Sequence, residues 1–371
     1  MAVYAHINTV PNGSTGGIMM KEHKELLAAG EDSYAFWGRG RGIENANEMR
    51  FVSDLEVKLD VLQTRLDGKA GFHSKTATKR LLARLDEIAP DVVHLHNLHG
   101  YYLNIEMLFG WLANHDCRVE WTLHDCWAFT GHCAYFTYAK CSEWKARCGD
   151  SCAQLGTYPA TFSKGSCSWN YDQKKRLFNL VPADRMELIT PSKWLADLVR
   201  QSFLAKYPVE VRYNTIDASV FKPTPSDFRE RYGIGSRFMV LGVASPWTER
   251  KGLADFIKLA NGLNSEEYAI VLVGLSEKQL KELPANIIGL ARTDSLQELA
   301  SIYTAADVFF NPTREDNYPT TLLEAQACGT SALTYLVGGC AEALSAKGSC
   351  AVVGFDAALR FIDKMRMEGG R

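Results

Sequence analysis

The sequence predicts an α/β protein made of two parallel-sheet domains, and three observations predict it. Short β-branched or apolar runs alternate with helix-length amphipathic segments along nearly the whole chain, the pattern of repeated βαβ units. The 371 residues exceed the size at which a single hydrophobic core stops growing. A polar, proline-bearing stretch at 222–227 follows the strand-like segment VEVRYN and separates two runs of the alternation, which we assign to domains at 1–213 and 214–371.

In the first run, strands are expected at 3–8, 33–37, 91–96, 118–123 and 186–190, where β-branched, aliphatic and aromatic residues cluster between turn residues. Helices are expected over 17–29, 74–88, 102–115 and 192–204, the last opened by Pro191-Ser192 with Ser192 as its N-cap. The second run places strands at 238–243, 269–273, 286–289, 307–310, 331–334 and 350–353 with helices between them, a complete Rossmann-like domain. Residues 125–168 read as a long irregular insert in the first domain. Cys126, Cys133, Cys141, Cys148, Cys152 and Cys167 crowd into it, six of the chain's ten cysteines.

Composition narrows the class. A formal net charge of -2 provides no global field for a polyanion, so no nucleic-acid partner is expected. Apolar runs such as 238–244 are far shorter than the roughly 18–20 residues that span a bilayer. The first ten residues, MAVYAHINTV, lack the basic and long apolar regions of a secretory signal, so the expected location is cytoplasmic. There the cysteines should be thiols or metal ligands rather than disulfides. Cys328, Cys340 and Cys350, scattered in the second domain, read as small hydrophobes.

Ligands of open parallel sheets bind beyond the carboxyl ends of the strands, so the loops that follow strands come first. After the first strand, Asn12-Gly13-Ser14-Thr15-Gly16-Gly17 leads into a helix and would present backbone N–H groups to an anion or a sugar. After strand 238–243, Arg250-Lys251-Gly252 places two cations at a helix start, a charge suited to a diphosphate. After strand 307–310, the stretch from Asn311 to Ala325 holds Asp316 and Asn317. Pro319 follows at a helix start, with Thr321 and Leu322 offering amides and Glu324 one turn further in. Each of these has a bland counterpart in a tight turn, a solvated cation pair or a helix cap.

Together the residues resemble the retaining family-4 glycosyltransferases of the GT-B fold. Lys251-Gly252, the Asp316-x7-Glu324 spacing and Ala325-Gln326-Ala327-Cys328-Gly329 are similar to the family's lysine–glycine, E-x7-E and small-residue helix. Asn214-Thr215-Ile216-Asp217 through Phe221 and Pro223 is similar to its interdomain linker, and Gly338-Gly339 with Glu342 to its G-G-x-x-E. The resemblance implies two Rossmann-like domains with parallel sheets facing across a cleft. The first takes the acceptor, and the second binds a UDP- or GDP-linked sugar.

Carried over by residue, it implies that Arg250 and Lys251 neutralise the diphosphate and that Glu324 binds ribose. Asp316, Asn317, Thr320, Thr321 and Leu322 would hold sugar and phosphates, with Gly16 and Gly17 facing the donor. His124, closing strand 118–123, matches the family's histidine near the donor sugar, so His124, Lys251 and Asp316 are the expected catalytic group. No metal ion is implied for catalysis. Two departures stand out: aspartate replaces the first glutamate of E-x7-E, and Pro246-Trp247 occupy the place of the family's arginine.

The insert is similar to that of bacterial transferases that build exopolysaccharide, colanic acid or capsule, which implies a saccharide or lipid-linked saccharide acceptor. Cys133, Cys141, Cys148 and Cys152 could close a structural zinc site, and buried thiols or disulfides are the alternative. The basic stretch Lys69, Lys75, Lys79, Arg80 and Arg84 could rest on an anionic membrane surface or be a solvated helix face. A catalytically degenerate binding or assembly subunit and a sugar-nucleotide epimerase of the same fold are the competing functions.

Overall fold

The computed structural model describes residues 1–369, which separate into two compact units, Met1–Tyr213 and a second beginning at Asn214. The first holds a seven-stranded sheet of β1 (Val3–Asn8), β2 (Asp32–Trp37), β3 (Glu48–Arg50), β4 (Val92–Leu95), β5 (Arg118–Thr122), β6 (Met186–Thr190) and β7 (Val209–Val211). All strands are parallel, in the order β3-β2-β1-β4-β5-β6-β7. Its helices are α1 (Gly13–Ala28), α2 (Asp54–Asp67), α3 (Lys75–Ile88), α4 (Ile105–Asn114), α5 (Cys167–Leu177) and α6 (Lys193–Val199).

Strand alternation separates two chemistries in this unit. Ala5 and Ile7 of β1, Val93 and Leu95 of β4 and Val119 of β5 join Leu81, Leu85, Leu108 and Phe109 of α3 and α4 in one apolar core. Burying each large side chain in such a core stabilises by about 1.5–3 kcal/mol. The intervening positions, His6, His94 and then His96, are also buried, although they are polar.

The second unit carries β8 (Phe238–Val243), β9 (Tyr268–Val273), β10 (Ile287–Leu290), β11 (Val308–Asn311), β12 (Ser331–Tyr335) and β13 (Cys350–Val352). They form a six-stranded parallel sheet in the order β10-β9-β8-β11-β12-β13. The helices are α7 (Phe228–Arg231), α8 (Leu253–Gly262), α9 (Glu277–Glu282), α10 (Leu296–Ala305), α11 (Thr320–Ala327) and α12 (Phe355–Met367). Both faces of this sheet are buried. Met239, Leu241 and Phe309 pack against Tyr303, Leu322 and Ala325 on one side, while Val240, Val308 and Phe310 pack against Phe256, Leu259 and Ile362 on the other.

The expected strands are present, and the differences have local causes. Helix α1 begins at Gly13 rather than at 17, so Gly16 and Gly17 lie inside its first turns instead of in a preceding loop. Helix α4 begins three residues later than expected because the Asn104 side chain accepts from the Met107 N–H at 3.0 Å and caps it there. Helix α6 ends at Val199, and successive turns carry the chain on to 204. Strand β3 and helix α2 fall in a segment with no expected element, and α5 opens at the end of the insert. From Asp125 to Ser166 the insert has only two short 3-10 turns, Trp127–Phe129 and Glu143–Lys145. It is built on Trp127, Phe129, Phe136 and Trp144, and on the buried Lys174 of α5, whose Nζ donates to the Trp127 and Thr130 carbonyls at 2.8 and 3.0 Å.

Candidate functional site

In the second unit the strand order reverses between β8 and β11, and a parallel sheet opens a crevice beyond the carboxyl ends of such neighbours. Two loops meet there. The loop 244–252 leaves β8; buried Trp247 pins it by donating from Nε1 to the Val273 carbonyl at 2.9 Å. The loop after β11 lies against it backbone to backbone. The Arg314 N–H donates to the Arg250 carbonyl at 2.7 Å, and the Thr313 hydroxyl donates to the same oxygen at 3.2 Å. Gly252 permits this approach: its φ is 80°, and a Cβ there would stand 2.2 Å from the Pro312 carbonyl oxygen.

The loops bring Lys251, Arg250 and Asp316 together. Lys251 Nζ donates to Asp316 Oδ2 at 2.6 Å. Arg250 Nη1 lies 3.5 Å from the same oxygen and also donates to the Glu315 carbonyl. Burial acts to raise the Asp316 pKa, but the Lys251 and Arg250 charges, the Lys251 hydrogen bond and the Asn317 N–H at 3.0 Å outweigh it and hold the carboxyl below its ordinary range. Gly338 closes on the loop from beyond β12, and the Gly339 N–H donates to the Asp316 carbonyl at 3.1 Å. The neighbouring Glu315 is wholly buried.

Helix α11 starts at Thr320, directly after Pro319. The first amides of a helix have no intrahelical acceptor, and those of Thr320 and Thr321 occupy that position here. Leu322 does not share it, because its N–H donates to the Pro319 carbonyl at 3.1 Å in a tight first turn. Glu324, one turn in, accepts from the Tyr303 hydroxyl at 3.0 Å. Burial raises the Glu324 pKa above its ordinary value, offset in part by hydrogen bonds from Tyr303 and Thr320.

Three further residues clamp the crevice and carry no motif: Arg314 Nη1 lies 2.9 Å from Asp255 Oδ2, and the Tyr335 hydroxyl donates to Asp255 at 2.6 Å. Asp255 is fully buried in α8, so this triad ties α8, the β11 loop and β12 into one piece.

The first unit places the remaining expected residues. Gly16 is buried, and a Cβ on it would meet the Val10 carbonyl oxygen at 2.6 Å, whereas Gly17 is exposed with nothing within 4 Å. His124 follows β5 and is buried, its Nε2 3.1 Å from Nδ1 of His96 with the two rings stacked. Burial lowers its pKa to about 4, with Asp125 opposing and His99 reinforcing the shift.

The cysteine grouping differs from the expected four. Cys133 and Cys152 bring their Sγ atoms to 3.5 Å, Cys152 also bonds to Cys167, and Cys148 accepts from the Gly131 N–H at 3.2 Å. Cys167 thus joins the cluster, with Cys141 beside Cys148 at its edge. None of the cysteines among the described residues is joined in a disulfide. Among the described residues, one group of histidine, cysteine or acidic side chains brings three or more ligand atoms within 4.8 Å of one another, and it is His6, Glu22, His94 and His96. The sequence signal for it was the alternating His94-Leu95-His96 beside a second strand bearing His6.

The basic stretch is spent mainly on the protein itself. Arg80 pairs with Glu56 at 2.6 Å, Arg84 with Glu87 at 2.6 Å, and Lys69 lies over the Trp169 ring. Helix α2 alongside exposes Leu55, Leu59, Leu62 and Leu66. Among the described residues no helix is long and apolar enough to cross a membrane.

Comparison with known proteins gives this geometry a context. Residues 237–366 match the family model described as "Glycosyl transferases group 1". The Escherichia coli (strain K12) protein named as a colanic acid biosynthesis glycosyl transferase, WcaC, is 23% identical over 91% of this chain and 83% of its own length. A glycogen synthase of Streptococcus sanguinis is 22% identical over 74% of this chain, which spans 63% of that enzyme. Among solved structures, sucrose-phosphate synthase from Thermosynechococcus elongatus superposes with a TM-score of 0.70 at 14% identity, covering 99% of this chain and 90% of that one. The Anabaena protein HepE, solved with UDP-glucose, superposes with a TM-score of 0.63 at 14% identity over 99% and 90%. The family match lies on the unit that holds the Lys251–Asp316 crevice and the likeness of fold runs the length of the chain, so the chain has the GT-B fold and its second unit is similar to the group 1 glycosyl transferases.

Proposed function

We propose that the second unit binds a nucleotide sugar at the β8–β11 crevice and that the protein transfers the sugar, with retention of anomeric configuration, to a saccharide acceptor in cell-surface polysaccharide synthesis. One observation carries this reading. Lys251 and Asp316, 65 residues apart in sequence, converge with Arg250 at the point where strand order reverses, beside the start of α11. Departure of a nucleoside diphosphate leaves negative charge, and fixed cations with aligned N–H dipoles stabilise that charge as it develops. Lys251 and Arg250 would take the diphosphate, and the amides of Thr320 and Thr321 its oxygens. Glu324, oriented by Tyr303, would accept from ribose hydroxyls. Asp316 would hold Lys251 in place and face the transferred sugar.

HepE was solved with UDP and with UDP-glucose, which supports a uridine donor, and WcaC's name supports an exopolysaccharide product. The test is turnover across a panel of UDP- and GDP-linked sugars. Lys251→Ala should lower transfer by about 100-fold or more, the scale of losing one preorganised charge at a developing anion, with an unchanged circular dichroism spectrum. Unimpaired turnover in the variant would remove the donor-site assignment, and hydrolysis or transfer with no donor would favour the assembly-subunit reading.

We further propose peripheral membrane contact through α2 rather than through the basic stretch, because the exposed stripe of four leucines is an apolar face while the arginines are already paired. A lipid-linked acceptor fits such a placement. The cysteine cluster is proposed as a thiol core of the insert, with zinc as the alternative that metal analysis decides.

A further inference from the structure

Glycosyl transfer does not account for the polar face of the first sheet. His6 on β1 and His94 on β4 are register partners, so their side chains leave the same face of adjacent strands. His96 lies two residues beyond His94 and returns to that face. Helix α1, packed over β1 and β2, brings Glu22 down onto the three imidazoles. Glu22 Oε2 is 3.2 Å from His94 Nδ1 and 3.7 Å from His96 Nε2, and the ligand atoms of all four residues lie within 4.8 Å of one another.

The cluster is buried and under-satisfied. His6, His94 and His96 are at most 3% exposed. Both ring nitrogens of His6, Nε2 of His96 and Oε2 of Glu22 have no hydrogen-bond partner among the described residues. One ligand atom from each residue lies within 4.8 Å of the other three, and an imidazole lone pair cannot satisfy a carboxylate without a proton or a cation between them. The opposite side of two rings is held firmly: His94 Nε2 bonds the Thr122 hydroxyl at 2.8 Å, and His96 Nδ1 bonds His124 Nε2 at 3.1 Å. Metal-ligating histidines commonly have that arrangement, one nitrogen toward the ion and the other fixed by an outer contact. Burial also disfavours protonation of these rings, which leaves them in the neutral form that binds metals.

We propose that His6, Glu22, His94 and His96 form a binding site for one divalent transition-metal cation of the zinc type, with three imidazole ligands and one carboxylate. A tetrahedral ion bound at 2.0–2.1 Å separates its ligand atoms by about 3.4 Å, so the 3.2 and 3.7 Å pairs already fit and the widest pair closes by roughly 1.5 Å. All four positions are filled by protein, so the ion is structural. It clamps α1, and with it the Gly13–Gly16 turn, to β1 and β4. Metal on Nε2 of His96 leaves the proton on Nδ1, which then donates to Nε2 of His124 and fixes the orientation of that ring.

The full-length protein, stripped with a chelator and dialysed, would be titrated with Zn²⁺ and Co²⁺, with metal content measured by mass spectrometry. The expected result is one equivalent bound, a rise in thermal midpoint with metal, and a tetrahedral Co²⁺ spectrum without a thiolate charge-transfer band. Glu22→Gln and His6→Asn should each weaken binding at least tenfold, Thr122→Val should weaken it less, and Cys152→Ser should leave it unchanged. Circular dichroism of the metal-free variants checks folding, and the conservative, partly exposed Glu22→Gln keeps the test open if His6→Asn fails to fold. Binding of no metal by the folded wild type, a thiolate band, or unchanged affinity in Glu22→Gln would each overturn the proposal.

Discussion

Asp316 is the residue on which the crevice depends. It receives Lys251 at 2.6 Å and stands 3.5 Å from Arg250, and its pKa is depressed because those charges outweigh its burial. Asp316→Asn should lower stability by about 2 kcal/mol, the usual worth of hydrogen bonds to a charged group, measured by urea unfolding at neutral pH. The pH dependence has a definite sign. A carboxyl with a depressed folded pKa stabilises the fold above its unfolded pKa, and that contribution is lost as pH falls. The difference between wild type and Asp316→Asn should therefore be constant above pH ~5 and shrink below pH ~4, and a difference that grows on acidification would contradict it. Gly252→Ala tests the contact between the loops: the positive φ and the 2.2 Å approach to Pro312 should cost about 2–4 kcal/mol and abolish donor binding in calorimetry. Lys251 and Glu324 were legible in the sequence from their loops and spacing. The clamp of Asp255, Arg314 and Tyr335 was not, because three polar residues far apart in sequence have no local pattern.

At the scale of elements, strands and strand-end loops were the readable part, since β-branched runs bounded by turn residues are a local signal. Helix starts were less so. Helix α1 begins at Gly13, although a glycine there reads as a turn, because the chain is held by contacts outside the segment, including the close pass of Gly16 over Val10. Helix α2 has helical periodicity at Leu55, Leu59, Leu62 and Leu66, but this face looks outward, so it belongs to no buried βαβ pattern. If α2 rests on lipid, Leu59→Glu with Leu62→Glu should reduce co-sedimentation with vesicles while donor turnover in solution stays unchanged. Equal co-sedimentation of the variant and the wild type would end the membrane reading. Helix α11 shows how finely a terminus is decided: a tight turn to Pro319 takes the Leu322 amide and leaves those of Thr320 and Thr321 at the helix start.

For the whole molecule, each unit has its own core, and seven of the eight tryptophans, all but Trp247, belong to the first. Intrinsic fluorescence should thus report unfolding of the first unit almost alone, whereas far-ultraviolet circular dichroism reports both. The two denaturant transitions are expected not to coincide, and superimposable curves would show that the units unfold together. By itself the sequence determined the α/β class, the strand positions, the crevice loops and the resemblance to glycosyltransferases, because periodicity, turn chemistry and short motifs are written in neighbouring residues. Only the tertiary structure decided which charges meet at Asp316, that Cys167 joins the thiol cluster, and that His6, Glu22, His94 and His96 share one buried face. Those outcomes depend on strand register and on the packing of helices over a sheet, which bring residues together across tens of positions and leave no mark at any one of them.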